Sequence, residues 1–460
     1  MLRFLTLAAL LLAALAHAAS VGSLFQARAS ASGIYHPPNG WENKQPGTVL
    51  QSSSIDAALF SFDKLKLKNA YQLLYRTSGS DASEPATTVT TVLVPNRAKK
   101  NQMVLLMPYI DASGKECSPS YSLRYGTKSS NAPAMSYQII LATALLDQGY
   151  TVTIPDYQGQ NGAFSASRLE GQMALDAVRA TLNYKPLGFS SHTKVVGYGY
   201  SGGAIASAWA AGLHSTYASE LNVVGWAMGG TPVNVTATVA KIDNTLFAGF
   251  NMVGIAGMMS AYPELDKWAQ EHLTPVGQEA VSYVRSHCML DTLAHFPFES
   301  ISSEKYFKNG TTLMQQPAVK KVADTLIVGT DPKLTPRAPV LMIHSQHDEV
   351  IPFGAALAAG RRWATHGADV FFARQTDFYM GHLDTELLNV PTVLFFVEDR
   401  MAGDPNFPRG FTEVAVSNPL ADPRIAKQGL ESLVRSIQDV LGHEIGPKDQ
   451  RVKDRISARK

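Results

Sequence analysis

Cysteine is scarce: the 460 residues contain two, Cys117 and Cys288. That excludes a disulfide-dense scaffold and a cysteine-rich zinc module. Charge is sparse as well, with 17% Asp, Glu, Lys and Arg against 45% hydrophobic residues and a formal net charge of +2. Such a balance supplies no strong field for nucleic acid or acidic membranes, and no basic run is interleaved with aromatics. It also excludes disorder over most of the length. Long apolar runs are missing too: Phe4 to Ala16 and Leu246 to Ala261 both fall short of the ~20 residues that span a bilayer. What remains is a globular chain larger than one ordinary core, so one large α/β unit with an insertion, or two domains, is expected.

Met1-Leu2-Arg3 precedes the first apolar run, and Ala16-His17-Ala18 follows it with small residues at the positions a signal peptidase inspects. Residues 1–18 therefore read as a signal peptide and predict a secreted protein. In an oxidising compartment Cys117 and Cys288 are expected to pair, closing a loop of about 170 residues; two buried thiols are the alternative. Asn234-Val235-Thr236 and Asn309-Gly310-Thr311 are N-glycosylation sequons, meaningful in a eukaryotic host.

Residues 19–68 lack periodicity and read as an irregular lead-in. Tyr71 to Arg76 and Thr87 to Val94 form a hairpin-like pair of strands. Strands at Met103 to Pro108, Tyr150 to Pro155 and Lys194 to Tyr200 then alternate with helices at Tyr137 to Asp147 and Leu169 to Asn183. This alternation predicts a mostly parallel sheet covered on both faces. Helical sequence from Ala204 to Gly212 and a strand from Asn222 to Met228 follow. Residues 231–325 show apolar, helix-like segments without a buried strand, the pattern of a helical insertion. Sheet character returns at Pro339 to His344, followed by a helix at Phe353 to His366 and a strand at Asp369 to Arg374. The expected division is an α/β core of residues 19–230 and 326–445, the insertion, and a charged tail at 446–460. The last core element expected is a helix from Gln428 to Leu441.

Gly199-Tyr200-Ser201-Gly202-Gly203 is a G-x-S-x-G sequence between a strand and a helix. A serine on so sharp a turn needs glycines two residues before and after it, where a β-carbon would make close contacts, and the turn lifts its hydroxyl above the sheet while aiming the Gly202 amide at a developing oxyanion. Ser201 is thus the candidate nucleophile of an α/β-hydrolase. Its acid and base must follow in the order acid, then histidine. Asp348, just past the strand at Pro339 to His344, is the preferred acid, with Glu349 and Asp331 as alternatives. His382, beyond the next strand and behind Gly381, is the preferred base over His366 and His443. His344 and His347 lack a third ligand at metal-binding spacing, so no metal is expected.

Beyond the elbow, the chain carries Tyr109-Ile110-Asp111, Cys117-Ser118-Pro119-Ser120-Tyr121, Pro155-Asp156-Tyr157-Gln158-Gly159 with Ala163-Phe164, and Gly229-Gly230-Thr231-Pro232-Val233-Asn234. In these motifs and their order it resembles the fungal secretory lipases typified by Candida lipase A, over roughly residues 70–445. The resemblance implies an α/β-hydrolase fold with a helical cap, Ser201, Asp348 and His382 as the triad, and the backbone amides of Asp111 and Gly202 as the oxyanion hole. It also implies an acyl channel, for which Phe247, Phe250, Met252, Met258 and Met259 have suitable chemistry; packing within the cap is the other role open to each. With one cysteine pair, the chain departs from lipase A, and a second bridge near the C-terminus is not expected.

The resulting expectation is a secreted ester hydrolase acting on acylglycerols without metal or organic cofactor, as a monomer at a lipid–water interface. A short-acyl esterase acting on a secondary metabolite and a non-catalytic binding protein on a hydrolase scaffold are the alternatives.

Overall fold

The computed structural model describes residues 33–419, with 309 and 379 excepted. The signal segment 1–18, Asn309, the helix expected at Gln428 to Leu441, His443 and the tail at 446–460 lie outside the described residues.

Twelve strands are described: β1 Val49–Ser54, β2 Ala58–Leu59, β3 Asp63–Lys64, β4 Asn69–Ser78, β5 Pro85–Val94, β6 Gln102–Met107, β7 Thr151–Pro155, β8 Lys194–Tyr200, β9 Val223–Gly229, β10 Val340–Ser345, β11 Val370–Gln375 and β12 Phe411–Val416. Ten of them form one sheet in the order β1-β4-β5-β7-β6-β8-β9-β10-β11-β12, and β2 pairs with β3 alone. From β7 to β12 every pairing is parallel. The pairs β1–β4, β4–β5 and β5–β7 are antiparallel. The mostly parallel sheet is the one the strand–helix alternation predicts.

Burial on both faces explains the continuous apolar strands. Along β6, Met103, Leu105 and Met107 enter a core shared with the helices Arg168–Asn183 and Gly202–Tyr217. Val104 and Leu106 point the other way, into a core with the helices Ala132–Asp147 and Val390–Ala402. Side chains alternate across a strand, so a strand covered on both sides must be apolar throughout.

Strand order reverses at β6: the chain goes next to β7 on one side, then to β8 on the other. Met107 at the end of β6 lies in register with Gly199 on β8. At such a switch point the loops leaving two neighbouring strands diverge and open a crevice beyond their carboxyl ends. The loop carrying Asp111 and the turn carrying Ser201 leave from these two strands.

Between β9 and β10 the described residues form no strand of the large sheet; helices at Val235–Ile242, Gly249–Ala261, Pro263–His272, Pro275–Val284, Met289–His295 and Pro317–Ala323 occupy this stretch. Three open with proline in their first turn, where its missing N–H costs no helical hydrogen bond.

The irregular lead-in expected at 19–68 requires correction, because its described part contains β1, β2 and β3. β1 reads Val-Leu-Gln-Ser-Ser-Ser, with no alternation, and forms as an edge strand on the backbone of β4. Edge strands need few apolar residues, so periodicity does not reveal them. β12, at the opposite edge, carries only partly buried or exposed residues and is missed for the same reason.

Candidate active site

Ser201 sits between β8 and the helix Gly202–Tyr217 with φ 51° and ψ −124°. A non-glycine residue held there costs about 1–3 kcal/mol, which the surrounding structure must offset. Backbone bonds hold the turn: the Ser201 amide donates to Gly229 O at 2.9 Å, and the Ala204 amide donates to Ser201 O at 2.9 Å. The glycines are sterically required. A Cβ on Gly203 would lie 1.9 Å from Met107 O, and one on Gly202 would lie 1.8 Å from Asp111 Oδ1.

His382 is the first residue of the helix His382–Leu388, behind Gly381 as its N-cap. The loop expected to hold this histidine therefore ends on it. Its Nε2 lies 2.8 Å from Ser201 Oγ and its Nδ1 lies 2.7 Å from Asp348 Oδ2. The backbone around the ring is fixed as well: the His382 amide donates to Glu349 Oε2, and the Tyr200 hydroxyl donates to His382 O. Asp348 keeps its other oxygen occupied, accepting from the amides of Val350 and Ile351 at 2.9 and 2.7 Å. All three residues of this chain are buried.

The alternatives weighed in sequence fall elsewhere. Glu349 reaches the backbone of His382 and not its ring. Asp331 caps a short turn by accepting from Lys333 N, and His366 is an exposed residue ending the helix Phe353–Thr365. His347 contacts the ring of Phe378 at the surface. His344 is buried behind the acid, with Nε2 3.4 Å from Asp348 Oδ2. That backing position of His344 is not foreseen from the sequence, where the residue is weighed only for metal binding and set aside for want of a third ligand.

Burial alone would raise the Asp348 carboxyl, but the charge of His382 and its hydrogen bond outweigh it and bring the group to about 2. Burial likewise opposes a charged His382, and the carboxylate of Asp348 outweighs it, so the ring binds its proton more tightly than an ordinary histidine. The carboxylate that accepts from Nδ1 therefore stabilises the ring once it is protonated.

Asp111 follows β6 with φ 43°. Its loop is clamped by Gln138, which accepts from Tyr109 N at 2.6 Å and donates to Tyr109 O at 2.9 Å, and by the Tyr157 hydroxyl, which donates to Pro108 O. Tyr157 lies in a motif singled out in the sequence, but the Gln138 clamp does not stand out there, because a lone glutamine within a helix carries no local signal. Two carboxyls near the ring lack strong partners. Burial pushes Asp111 up to about 7 and Glu386, one helical turn after His382, up to about 8.

Two cavities meet at Ser201. One, with about 1050 Å³ of open space, runs from Ser201, Gly202 and Ile205 into the insertion, past Gly254, Met258 and Leu265. The other, with about 1010 Å³, is bounded by His382, Tyr137 and Phe247 and by Leu290 and Leu293 of the helix Met289–His295. Phe250 borders both, Met258 and Met259 border the first, and Met252 is fully buried away from either. Cys117 and Cys288, 171 residues apart, form a disulfide that ties the segment after Asp111 to the start of the helix Met289–His295. Asn234 is half-buried and caps the helix Val235–Ile242 by accepting from Ala237 N.

Residues 125–408 match the model of the family described as secretory lipase. The chain belongs to the secretory lipase family. It is 46% identical to a secreted triacylglycerol lipase of Malassezia restricta over 92% of this chain and 90% of that one. It is 47% identical to a secreted triacylglycerol lipase of Malassezia furfur over 81% and 97%. Among solved structures, Candida antarctica lipase A in its closed state superposes with a TM-score of 0.78 at 28% identity, covering 91% of this chain and 98% of that one. This secretory lipase is accordingly a secreted carboxylic ester hydrolase with the α/β-hydrolase fold and a helical insertion. Among the described residues, no helix is long and apolar enough to cross a membrane.

Proposed function

We propose that the protein hydrolyses triacylglycerols through an acyl-serine intermediate, with Ser201 as nucleophile, His382 as general base and then acid, and Asp348 as the group that orients and charge-stabilises the ring. The observation that carries this reading is the unbroken chain from Ser201 Oγ to His382 Nε2 and from His382 Nδ1 to Asp348 Oδ2, opening onto apolar space. In the first step Ser201 Oγ bonds to the ester carbonyl carbon while His382 Nε2 takes its proton. The carbonyl oxygen, now an anion, is stabilised by the amides of Asp111 and Gly202. Collapse breaks the carbon–oxygen bond to the alcohol, which leaves with the proton from His382. Water then repeats the sequence on the acyl-serine and releases the fatty acid.

Residues 231–325 act in this reading as a cap over the site. The two ends of this stretch meet where Asn234 bridges Ile327. The cap cavity would hold the acyl chain, with Phe250, Met258 and Met259 among its walls. The protein acts at a lipid–water interface, a reading supported by the exposed Leu383 and Leu387 on the helix that begins at His382, and it does so as a monomer. Asn234 and Asn309 are the sequon asparagines proposed for glycosylation. The test is hydrolysis of emulsified triolein by the purified protein, followed as fatty-acid release. Wild type is expected to release acid and Ser201→Ala to fall by a factor of about 10³ or more. Activity confined to acetate esters in solution would contradict the reading.

A further inference from the structure

The two cavities meeting at Ser201 are not equivalent, because each offers a different part of the catalytic machinery. Gly202, whose amide faces the oxyanion in the proposed mechanism, borders the first cavity but not the second; His382 borders the second but not the first. In a tetrahedral intermediate on Ser201 the leaving oxygen must face His382 Nε2, since that nitrogen carries the proton the alcohol departs with. The alcohol therefore lies on the His382 side, and the acyl chain is left the first cavity.

The walls of the second cavity then state what kind of alcohol fits. Tyr137, Phe247, Leu290 and Leu293 are apolar, and Leu383 and Leu387 carry that surface outward, being 43% and 40% exposed on one face of the helix His382–Leu388. An apolar path thus runs from His382 to solvent. The acidic side chains on this cavity are Asp111, Glu349 and Asp384, and among the described residues no lysine or arginine borders it. A phosphate-bearing leaving group would meet like charge there without a cation to compensate.

We infer that the cavity bordered by His382 is an alcohol-side specificity site that takes an uncharged leaving group bearing an apolar chain, such as a diacylglycerol, and disfavours one bearing phosphate. The inference rests on the assignment of Ser201 and His382 as nucleophile and base, and deepens it.

The test uses the purified full-length protein and esters of one fatty acid, the acid best accepted in a chain-length series, with four leaving groups: methanol, dodecanol, a diacylglycerol and a lysophospholipid. In kcat/KM the dodecyl and diacylglyceryl esters are expected to exceed the methyl ester by about tenfold or more, and the lysophospholipid ester to fall about tenfold below the diacylglyceryl ester. Leu293→Ser and, at the exposed end of the path where folding is least at risk, Leu387→Ser should each lower the dodecyl-to-methyl ratio by about threefold or more while the acyl chain-length profile keeps its shape. A ratio near one in wild type would overturn the inference. So would leucine variants that shift the acyl profile in place of the alcohol ratio, since the cavities would then have exchanged roles. Cleavage of triacylglycerols with no alcohol preference would defeat the alcohol site and leave the lipase reading standing. A dodecyl preference without cleavage of triacylglycerols would defeat the lipase reading and overturn diacylglycerol as the occupant, leaving only the preference for an apolar-chain alcohol standing.

Discussion

Ser201 has two neighbourhoods built on different principles. Toward the sheet, every contact is directional: a strained φ held by backbone bonds, a ring nitrogen at 2.8 Å, a carboxylate fixed by two amides. Toward the insertion, the surroundings are side chains of leucine, methionine, valine and phenylalanine around open space. The first arrangement tolerates little displacement, because hydrogen bonds weaken steeply with distance and angle. The second depends on volume and polarity, which several residue sets can supply. Chemistry should therefore fail abruptly under single changes on the sheet side, whereas selectivity should drift under changes on the insertion side.

The largest effect expected is at Asp348. Asp348→Asn keeps the shape but presents the wrong hydrogen-bond pattern to the ring, and kcat should fall by about 10⁴. A loss within tenfold on a soluble p-nitrophenyl ester would break the claim that this side is directional. Next comes Gly202→Ala. Its methyl would lie 1.8 Å from Asp111 Oδ1, so the buried Asp111 side chain must move beside the proposed oxyanion amides, and kcat should fall by about 10²–10³ with KM little altered. Gly254→Leu probes the other side. A Cβ there meets only Ser165 Oγ, at 3.7 Å, so the side chain has room to enter the cavity, and the ratio of long-chain to short-chain kcat/KM should fall about tenfold. An unchanged ratio would remove that cavity from acyl binding.

The smallest effect on turnover is expected at Glu386, which separates burial from partnership on the sheet side itself. Asp348 and Glu386 are both buried near His382, yet the first lies at about 2 and the second at about 8. The folded protein holds the Glu386 proton up to about pH 8, whereas an unfolded chain releases it near 4.5. Unfolding therefore releases a proton between these values, and this residue's contribution to stability, complete below pH 4.5, is lost as pH rises to about 8. Glu386→Gln should remove that decline, a difference of at most about 4 kcal/mol between pH 5 and 8. Thermal unfolding midpoints across this range test it, and parallel curves for variant and wild type would contradict it.

The same contrast governs what the sequence makes visible. The strand, Gly-x-Ser-x-Gly turn and helix around Ser201 are legible because the constraint is local: Gly202 and Gly203 stand where a Cβ would collide with Asp111 or Met107. Asp348 and His382 are legible by order, as each follows a buried parallel strand, β10 and β11. The insertion is legible as helical and apolar but not as a cavity. In the helix Gly249–Ala261, Met252 and Val253 pack inward while Gly254 and Ile255 border open space, and a helix apolar on all faces gives no periodicity to tell them apart. Gln138 and His344 escape notice because their partners, Tyr109 and Asp348, are met only in the folded chain or read only as chemistry in their own right.

The most direct measurement is the site of covalent capture. The wild-type protein treated with a long-chain alkyl fluorophosphonate, digested and mapped by mass spectrometry should carry the label on Ser201 alone. Labelling should disappear in Ser201→Ala and slow by orders of magnitude in His382→Asn. Modification of a different serine, or rapid labelling that survives the loss of His382, would contradict the account.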